Sequence, residues 1–366
     1  MIVKTITCHR VYNHGASLQE YALLKYLESL GHDAETIDYT PDYLSNHHNF
    51  FNVSNPKYDK FFIKWVYLLA KLPQRLTLLK RKKAFDKFEN TYIPFTKKNY
   101  RNNSELKNDL PDADAFICGS DQIWNSFFQN GKDPSFYLNF VPDNKLKFSY
   151  AASFAIDEID DDLKPFIKEN VERLNSISVR ESSGLKILEE LDVKNAMQVL
   201  DPVFLLSPEE WKESFVTPIK EKYIFVYDFD SNPNIKKIAE YTAKKHNLKI
   251  FTVNDNVAYS DKNFYLEGPK TFLSLINSAE YVICNSFHAV AFSLLFNKTF
   301  FVVDRSEKIN TRMRDIMSYV GLADFHLVEH EYKTFDNLEI DYADVKERIR
   351  VKALESQKFL KESLSE

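Results

Sequence analysis

Apolar residues along the chain form short continuous runs that alternate with helical repeats. The apolar run at 115–118 is typical of a short buried strand, and residues 2–7 and 35–39 are also predicted to form strands. Between these last two strands, apolar residues recur every three or four positions over residues 18–30, and Gly31 is placed to end that helix. This order of strand, helix and strand predicts a parallel sheet covered by helices.

The same alternation continues through most of the chain. Further strands are predicted at 146–150, 177–179, 198–200, 223–227, 248–253, 281–284 and 299–303, and further helices at 163–174, 184–191, 234–246, 271–278, 289–296 and 310–319. The dipeptide Asp201-Pro202 breaks a strand, and a new helix start follows at 207–211. We therefore predict an α/β fold with a first domain at 1–205 and a second at 206–366.

Residues 46–109 interrupt the alternation, and we predict that they form a helical insertion in the first domain. Apolar residues at 61–69 and 76–88 have helical spacing. The basic run Lys80, Arg81, Lys82 and Lys83 would meet an anionic membrane surface or a polyanionic glycan carrier. A solvated helix face is the plainer interpretation and the favoured one. The last helix, after about residue 343, would pack on either domain.

Composition excludes several functional classes. The net charge of −5 gives no basic field for nucleic acid. The seven glycines are never close neighbours, so the chain has no dinucleotide-binding fingerprint and no P-loop. Three isolated cysteines predict neither a disulfide framework nor a zinc site, and no spacing of histidines and acids predicts another metal. We expect no metal and no cofactor.

The sequence also predicts the compartment. The N-terminal residues lack a basic segment followed by a long apolar core, so no signal peptide is expected. No run of about 18 apolar residues predicts a transmembrane helix. We expect a cytoplasmic protein.

Small polar and charged residues follow the predicted strands. In an open α/β sheet, ligands bind beyond the carboxyl ends of the strands. The candidate residues are Asn13 and Gly15 after the first strand, Ser120, Asp121, Gln122 and Trp124 after 115–118, Arg180 after 177–179, Asp201 after 198–200, Ser286 and His288 after 281–284, and Arg305, Asn310 and Arg312 after 299–303. Their presence in both halves suggests a cleft between two sheets.

These residue types point to anion binding more clearly than to a nucleophile. Arg180 would clamp a carboxylate or phosphate, or else pair with Glu181. His288, in the first turn of a helix that Ser286 would cap, would bind phosphate or deliver a proton, or else be a capping or core histidine. Asp121 and Asp201 are candidate bases, and no third residue completes a recognisable triad.

Taken together, these stretches resemble the polysaccharide pyruvyl transferase family. The matching pieces, in the family's order, are Asn13-His14-Gly15-Ala16-Ser17-Leu18-Gln19, Gly119-Ser120-Asp121-Gln122-Ile123-Trp124-Asn125, Ser149-Tyr150-Ala151-Ala152-Ser153-Phe154, Ser178-Val179-Arg180-Glu181, Leu200-Asp201-Pro202-Val203, Asn285-Ser286-Phe287-His288 and Asn310-Thr311-Arg312. Many relatives have Gly where this chain has Ala289, and some have Arg where it has Phe287. Both departures bear on how the donor is held.

The resemblance implies two Rossmann-like domains whose mostly parallel sheets face a central cleft, as in the GT-B architecture. It implies a polysaccharide (ketal) pyruvyl transferase, which moves pyruvate from phosphoenolpyruvate to two hydroxyls of one sugar and releases phosphate. The acceptor would be a saccharide, lipid-linked in better-known members, in the biosynthesis of a capsule or exopolysaccharide at the inner face of the membrane.

The resemblance also assigns roles. Arg180 and His288 match residues linked to phosphoenolpyruvate binding, and Arg312 matches a later basic residue. We hypothesise that the two arginines hold carboxylate or phosphate, that His288 holds phosphate or donates a proton, and that Asp121 or Asp201 is the base. Asn13, Gln122 and Trp124 would line the sugar side, with Trp124 stacking on the sugar. A glycosyltransferase that uses a nucleotide sugar and a non-catalytic glycan-binding protein are the alternatives.

Overall fold

Two parallel β-sheets, one in each half of the chain, organise the protein. The computed structural model describes residues 1–45, 51, 53, 60–306, 309–327 and 340–365. The strands are β1 (Ile2–Ile6), β2 (Asp33–Tyr39), β3 (Phe95–Tyr100), β4 (Ala115–Cys118), β5 (Leu146–Ser149), β6 (Ser178–Val179), β7 (Met197–Gln198), β8 (Tyr223–Tyr227), β9 (Lys249–Thr252), β10 (Lys262–Asn263), β11 (Tyr281–Cys284), β12 (Thr299–Val303) and β13 (His326–Leu327). The helices are α1 (His14–Ser29), α2 (Asp42–Ser45), α3 (Phe61–Ala70), α4 (Leu72–Tyr92), α5 (Asn103–Asn108), α6 (Lys164–Val171), α7 (Ser182–Glu190), α8 (Pro208–Phe215), α9 (Pro233–His246), α10 (Pro269–Ser278), α11 (Phe287–Leu295), α12 (Thr311–Tyr319) and α13 (Tyr342–Ser363).

The strand order in each sheet is that of a doubly wound fold. The first sheet runs β3-β2-β1-β4-β5 and the second β10-β9-β8-β11-β12-β13. The strand pairs of both sheets are parallel. The central strands β4 and β8 are buried at every position, because helices cover both faces. The predicted α/β class with parallel sheets is confirmed.

The start of α1 differs from the prediction. The helix begins at His14, four residues before the predicted start, so Gly15 lies inside its first turn. The Asn13 side chain accepts hydrogen bonds from the backbone N–H groups of Gly15 and Ala16, at 2.9 and 3.3 Å. This cap satisfies two donors at the helix end and fixes where the helix begins.

The predicted insertion at 46–109 contains a strand as well as helices. Residues 95–100 form β3, which pairs with β2 at the edge of the first sheet. Three of its residues, Lys97, Lys98 and Asn99, are exposed, as is usual for a protected edge strand, and this polarity hid the strand in the sequence. Residues 46–50, 52 and 54–59 of the predicted insertion lie outside the described part of the chain.

Helix α13 packs against both halves. Its Phe359 ring lies 6.4 and 6.5 Å from the rings of Phe148 and Tyr150 in the first half, and Ser356 Oγ accepts a hydrogen bond from the Leu200 backbone at 2.9 Å. The boundary at residue 205 stays a prediction. Across the described residues, no helix combines the length and apolarity that a membrane span requires.

Candidate active site

Charged side chains from the two halves of the chain meet at Asp201. Arg180 follows β6, and its Nη2 lies 2.9 Å from Asp201 Oδ2. His288 is in the first turn of α11, and its Nε2 lies 3.4 Å from the same oxygen. The three side chains are at most 8% exposed. The structure thus brings together a guanidinium, a carboxylate and an imidazole that are far apart in sequence.

A second guanidinium lies beside the first. Arg312 Nη1 is 3.2 Å from Asp121 Oδ1, and Arg180 Nη1 is 3.9 Å from that oxygen. Both guanidinium groups lie near the face of Phe287, at 5.0 and 5.7 Å from the ring centre. An aromatic ring attracts a cation through its negative face. Phe287 therefore supports the two arginines.

Burial and neighbouring charge act in opposite directions on Asp201. Burial alone would raise the pKa of this carboxyl, but the Arg180 guanidinium and the His288 imidazole outweigh it and hold the pKa at about 2. For Arg312, burial and the Arg180 charge lower the pKa to about 10. At neutral pH the cluster therefore contains two guanidinium cations and a carboxylate at Asp201.

The arginines retain capacity to bind a ligand. Nε of Arg180 and Nε of Arg312 are buried and have no hydrogen-bond partner among the described residues. Buried donors are normally satisfied, so donors without a partner point to a missing ligand or water. A cavity of about 320 Å³ adjoins them, lined among others by Arg180, Asp201, Phe287 and Arg312. It is within the size range of small-molecule sites.

Sequence reasoning missed several residues of this cavity, among them Gln198, Asp315 and Lys352. Asp315 accepts hydrogen bonds from the Ser182 backbone N–H, the Ser182 hydroxyl (2.7 Å) and Gln198 Nε2 (2.9 Å). Asp315 comes three residues after Arg312, so the helical spacing could have indicated it. Lys352 lies on α13, where no motif pointed to it.

Gly15 forms the closest approach between α1 and His288. A Cβ atom on residue 15 would lie 2.0 Å from His288 Nδ1, closer than any real contact. Glycine is therefore required sterically, and it lets the imidazole pack against the first turn of α1. Gly15 therefore helps to place His288, and its predicted contact with a ligand stays a prediction.

The turn after β4 positions Arg180. Ser120 Oγ accepts a hydrogen bond from Arg180 Nη2 at 2.5 Å and donates one to the Ala151 carbonyl at 2.7 Å. Gly119 has a φ of +129°, and a Cβ there would lie 2.0 Å from the Tyr150 carbonyl oxygen. Only glycine fits this backbone, and Asp121 beyond it has a φ of +67°. The turn thereby holds Ser120 and Asp121 against the arginines.

Trp124 cannot stack on a sugar as predicted. Its side chain is fully buried, its Nε1 donates to the Phe136 carbonyl at 3.0 Å, and its ring stacks on Tyr137 at 5.4 Å. An indole donor needs a buried partner, and here the backbone supplies it. Gln122 is half-buried and accepts a hydrogen bond from the Asn125 side chain at 2.7 Å.

The remaining predicted residues do not join the Asp201 cluster. Arg305 lies over the Phe229 ring at 4.9 Å. The Asn310 amide exchanges two hydrogen bonds of 3.0 Å with the Arg305 backbone and closes that loop. Ser286 is at the N-cap of α11 as predicted, but its side chain makes no capping bond. Among the described residues, no group of histidines, cysteines and acids is arranged to hold a metal ion.

The basic run on α4 does not form one solvated face. Arg81 is buried, and its guanidinium donates to the Tyr12 carbonyl at 3.0 Å and to the Tyr265 carbonyl. Lys82 Nζ lies 2.5 Å from Asp86. Only Lys80 and Lys83 of the run are exposed.

Structure comparison found several solved structures that are similar to this chain. A protein described as a UDP-N-acetylglucosamine 2-epimerase from Listeria monocytogenes is 10% identical, with a TM-score of 0.51 over 97% of this chain and 91% of that chain. A UDP-GlcNAc 2-epimerase from Neisseria meningitidis is 10% identical, with a TM-score of 0.46 over 100% and 99%. An O-GlcNAc transferase mutant from Thermobaculum terrenum is 8% identical, with a TM-score of 0.45 over 100% of this chain and 66% of that chain. At such identities the likeness shows the fold alone, which is GT-B-like as expected.

Sequence comparison identifies the family. Curated proteins gave no significant match. The family model for polysaccharide pyruvyl transferase matches residues 13–307, which include Asp121, Arg180, Asp201 and His288 but not Arg312. This match covers most of the chain, so the protein belongs to the polysaccharide pyruvyl transferase family and is a transferase.

Proposed function

We propose that the protein transfers pyruvate from phosphoenolpyruvate to two hydroxyls of one sugar in a cell-surface polysaccharide precursor. The observation that carries this proposal is the pair Arg180 and Arg312 at a cavity of about 320 Å³, with His288 linked to Arg180 through the shared Asp201 carboxylate. Phosphoenolpyruvate carries a carboxylate and a phosphate on three carbons, and two guanidinium groups suit these two anions. Family membership supplies the second support.

The reaction needs a proton donor, a base and anion stabilisation. Protonation of the methylene carbon makes C2 electrophilic, and the first sugar hydroxyl adds there and loses its proton. Phosphate leaves with the C2–O bond electrons, and the second hydroxyl closes the ketal and loses its proton in turn. Two hydroxyl protons are released and one is taken up by carbon, so the other leaves with phosphate. His288 is the proposed proton donor, because its imidazole is held beside the Asp201 carboxylate at 3.4 Å and histidine is the side chain that most often transfers protons in enzymes.

Asp121 is the better candidate base of the two carboxylates. The Asp201 side chain is 0% exposed and is engaged by Arg180 and His288, so a sugar hydroxyl would have to displace them to reach it. The Asp121 side chain is 17% exposed and pairs with Arg312. We assign Asp201 to positioning Arg180 and His288, and Asp121 to accepting a hydroxyl proton. The proposal places the enzyme in the cytoplasm, where the donor is available, with a saccharide as acceptor.

Calorimetry and product analysis test the proposal. The protein should bind phosphoenolpyruvate, and Arg180→Lys should weaken that binding on the order of 100-fold, because lysine cannot reproduce the forked contact. The control Arg314→Lys changes an exposed arginine two positions from Arg312. Phosphate should be released, with a ketal formed, when an acceptor saccharide is added.

Two other results would redirect the assignment. Binding of a UDP-sugar but not of phosphoenolpyruvate would favour a glycosyltransferase. Binding of saccharide without phosphate release, over a panel of acceptors, would favour a non-catalytic glycan-binding protein.

A further inference from the structure

Helix α3 exposes an apolar face. Phe62 is 83% exposed, Val66 and Leu69 are each 68% exposed, and Trp65 is 50% exposed. These positions are spaced i, i+3, i+4 and i+7, so they lie on one side of the helix. Leu72 and Leu76 of α4, 37% and 49% exposed, extend the apolar surface past the end of α3. Contiguous exposed apolar surface of this kind usually marks an interaction site.

The sequence segment that carries this face has charges of a single sign. Residues 60–85 include eight basic residues and no Asp or Glu, although the whole chain has a net charge of −5. The basic residues are Lys60, Lys64, Lys71, Arg75, Lys80, Arg81, Lys82 and Lys83. We call residues 60–76, which carry the apolar face and the first four of these charges, the basic hairpin.

This charge favours a lipid surface over a second copy of the chain. A two-fold interface places the same patch on both copies, so the lysines and arginines of one basic hairpin would face those of the other. An anionic bilayer offers opposite charge at its headgroups and apolar volume just beneath them. A helix with apolar and aromatic residues between basic residues is typical of segments that lie in that interface.

The basic hairpin is connected firmly to the candidate site. Further along α4, Phe85 and Phe88 are buried in the interior. Arg81 donates to the Tyr12 carbonyl, one residue before the Asn13 cap of α1, and to the Tyr265 carbonyl in the second half. Docking of the hairpin would therefore orient the whole molecule on the surface.

We propose that the basic hairpin docks the protein on an anionic membrane, with the apolar face of α3 in the interfacial layer and its lysines at the headgroups. The contact is shallow, because no described helix is long and apolar enough to cross a bilayer. The inference does not depend on the proposed reaction, since lipid binding is measured without donor or acceptor. It gives the protein access to saccharides carried on lipid.

Trp65 provides a direct signal. The chain has three tryptophans, and Trp124 and Trp211 are fully buried. Vesicles of phosphatidylcholine with phosphatidylglycerol should shift Trp65 emission to shorter wavelength, and vesicles of phosphatidylcholine alone should not. Trp65→Phe should abolish the shift while vesicle co-sedimentation persists.

Paired variants separate the apolar contribution to vesicle binding from the electrostatic contribution. Phe62→Ser with Val66→Ser should weaken co-sedimentation at least roughly tenfold, since two inserted side chains are lost. Phe127→Ser with Phe128→Ser, which are 59% and 45% exposed elsewhere, is the matched control.

For charge, Lys60→Glu with Lys71→Glu should weaken binding at least roughly tenfold, because each basic residue at the surface contributes several-fold. Lys237→Glu with Lys244→Glu on α9 makes the same change in net charge at exposed positions and should have a much smaller effect. Equal binding by wild type and hairpin variants would overturn the proposal. A dimer that dissociates in the Phe62 and Val66 variant, without vesicle binding by wild type, would instead assign the face to a second copy.

Discussion

At the scale of single residues, Asp201 decides how the site is organised. Its carboxylate holds Arg180 at 2.9 Å and His288 at 3.4 Å, so one acid orients side chains from both halves. The depressed pKa of about 2 also makes Asp201 a contributor to stability. Removing the charge would leave the buried Arg180 guanidinium and the His288 imidazole without their shared partner.

We expect Asp201→Asn to lower the free energy of unfolding by roughly 3 kcal/mol at pH 7. Because the folded pKa lies below the unfolded value, the wild-type advantage is present above about pH 4 and is lost as the pH falls toward about 2. Urea unfolding of both proteins across this pH range measures the difference in the free energy of unfolding. Asp112→Asn, at an exposed position, is the control. A difference between wild type and Asp201→Asn that is constant down to pH 2 would contradict the assignment.

Substitution of Gly15 tests the role of His288 without removing the histidine. The added methyl group of Gly15→Ala would displace the imidazole, whereas alanine itself favours a helix by roughly 1 kcal/mol. We expect kcat/KM for phosphoenolpyruvate to fall on the order of 100-fold with little loss of stability. Lys25→Ala, at an exposed position of α1, is the control. Unchanged kinetics would mean that the position of His288 does not matter for the reaction.

At the scale of elements, strands made of continuous apolar residues were predictable from the sequence. A polar edge strand and a helix start that is set by a side-chain cap were not. Strands β4 and β11 agree with the runs at 115–118 and 281–284, because buried parallel strands are apolar throughout. The edge strand β3 was missed because its exposed residues are polar, so no apolar pattern marks it. The early start of α1 was missed because the Asn13 cap, and not a repeat of apolar residues, sets where the helix begins. Trp124 was misassigned because its buried stacking partner, Tyr137, belongs to another turn.

The turn after β4 is the element most sensitive to substitution. We expect Gly119→Ala to lower the free energy of unfolding by roughly 2–4 kcal/mol, because it combines a positive φ with a collision against the Tyr150 carbonyl. Gly31→Ala is a matched control with a φ of +83° and no neighbour within 4 Å, and it should cost about 1 kcal/mol. Urea denaturation should separate the two, and equal losses would rule out the steric contribution.

At the scale of the whole molecule, apolar packing joins the two halves beneath the charged cluster. One core contains residues of both sheets, such as Ile117 and Ile283. The His14 ring stacks on Phe272 across the junction at 4.9 Å, and burial lowers the pKa of this histidine well below its usual value. The sequence predicted two sheets, but no local pattern could show that their junction would be apolar.

Arg81 adds a polar link to this junction. We expect Arg81→Lys to lower the free energy of unfolding by roughly 1–3 kcal/mol, because an ammonium group cannot reach both the Tyr12 and Tyr265 carbonyls in the geometry of a guanidinium. Substitution of the exposed neighbouring residue, Lys83→Ala, should change the free energy of unfolding by less than about 0.5 kcal/mol. Thermal unfolding of both proteins provides the comparison. Equal stability would show that the link is replaceable by solvent.

The contact between Gly15 and His288 also limits how this protein can diverge. The two positions are 273 residues apart in the chain, yet the space that one side chain would need is filled by the other. Homologues that keep the histidine should also keep glycine at position 15. A lineage that gains a larger side chain there should have replaced the imidazole first.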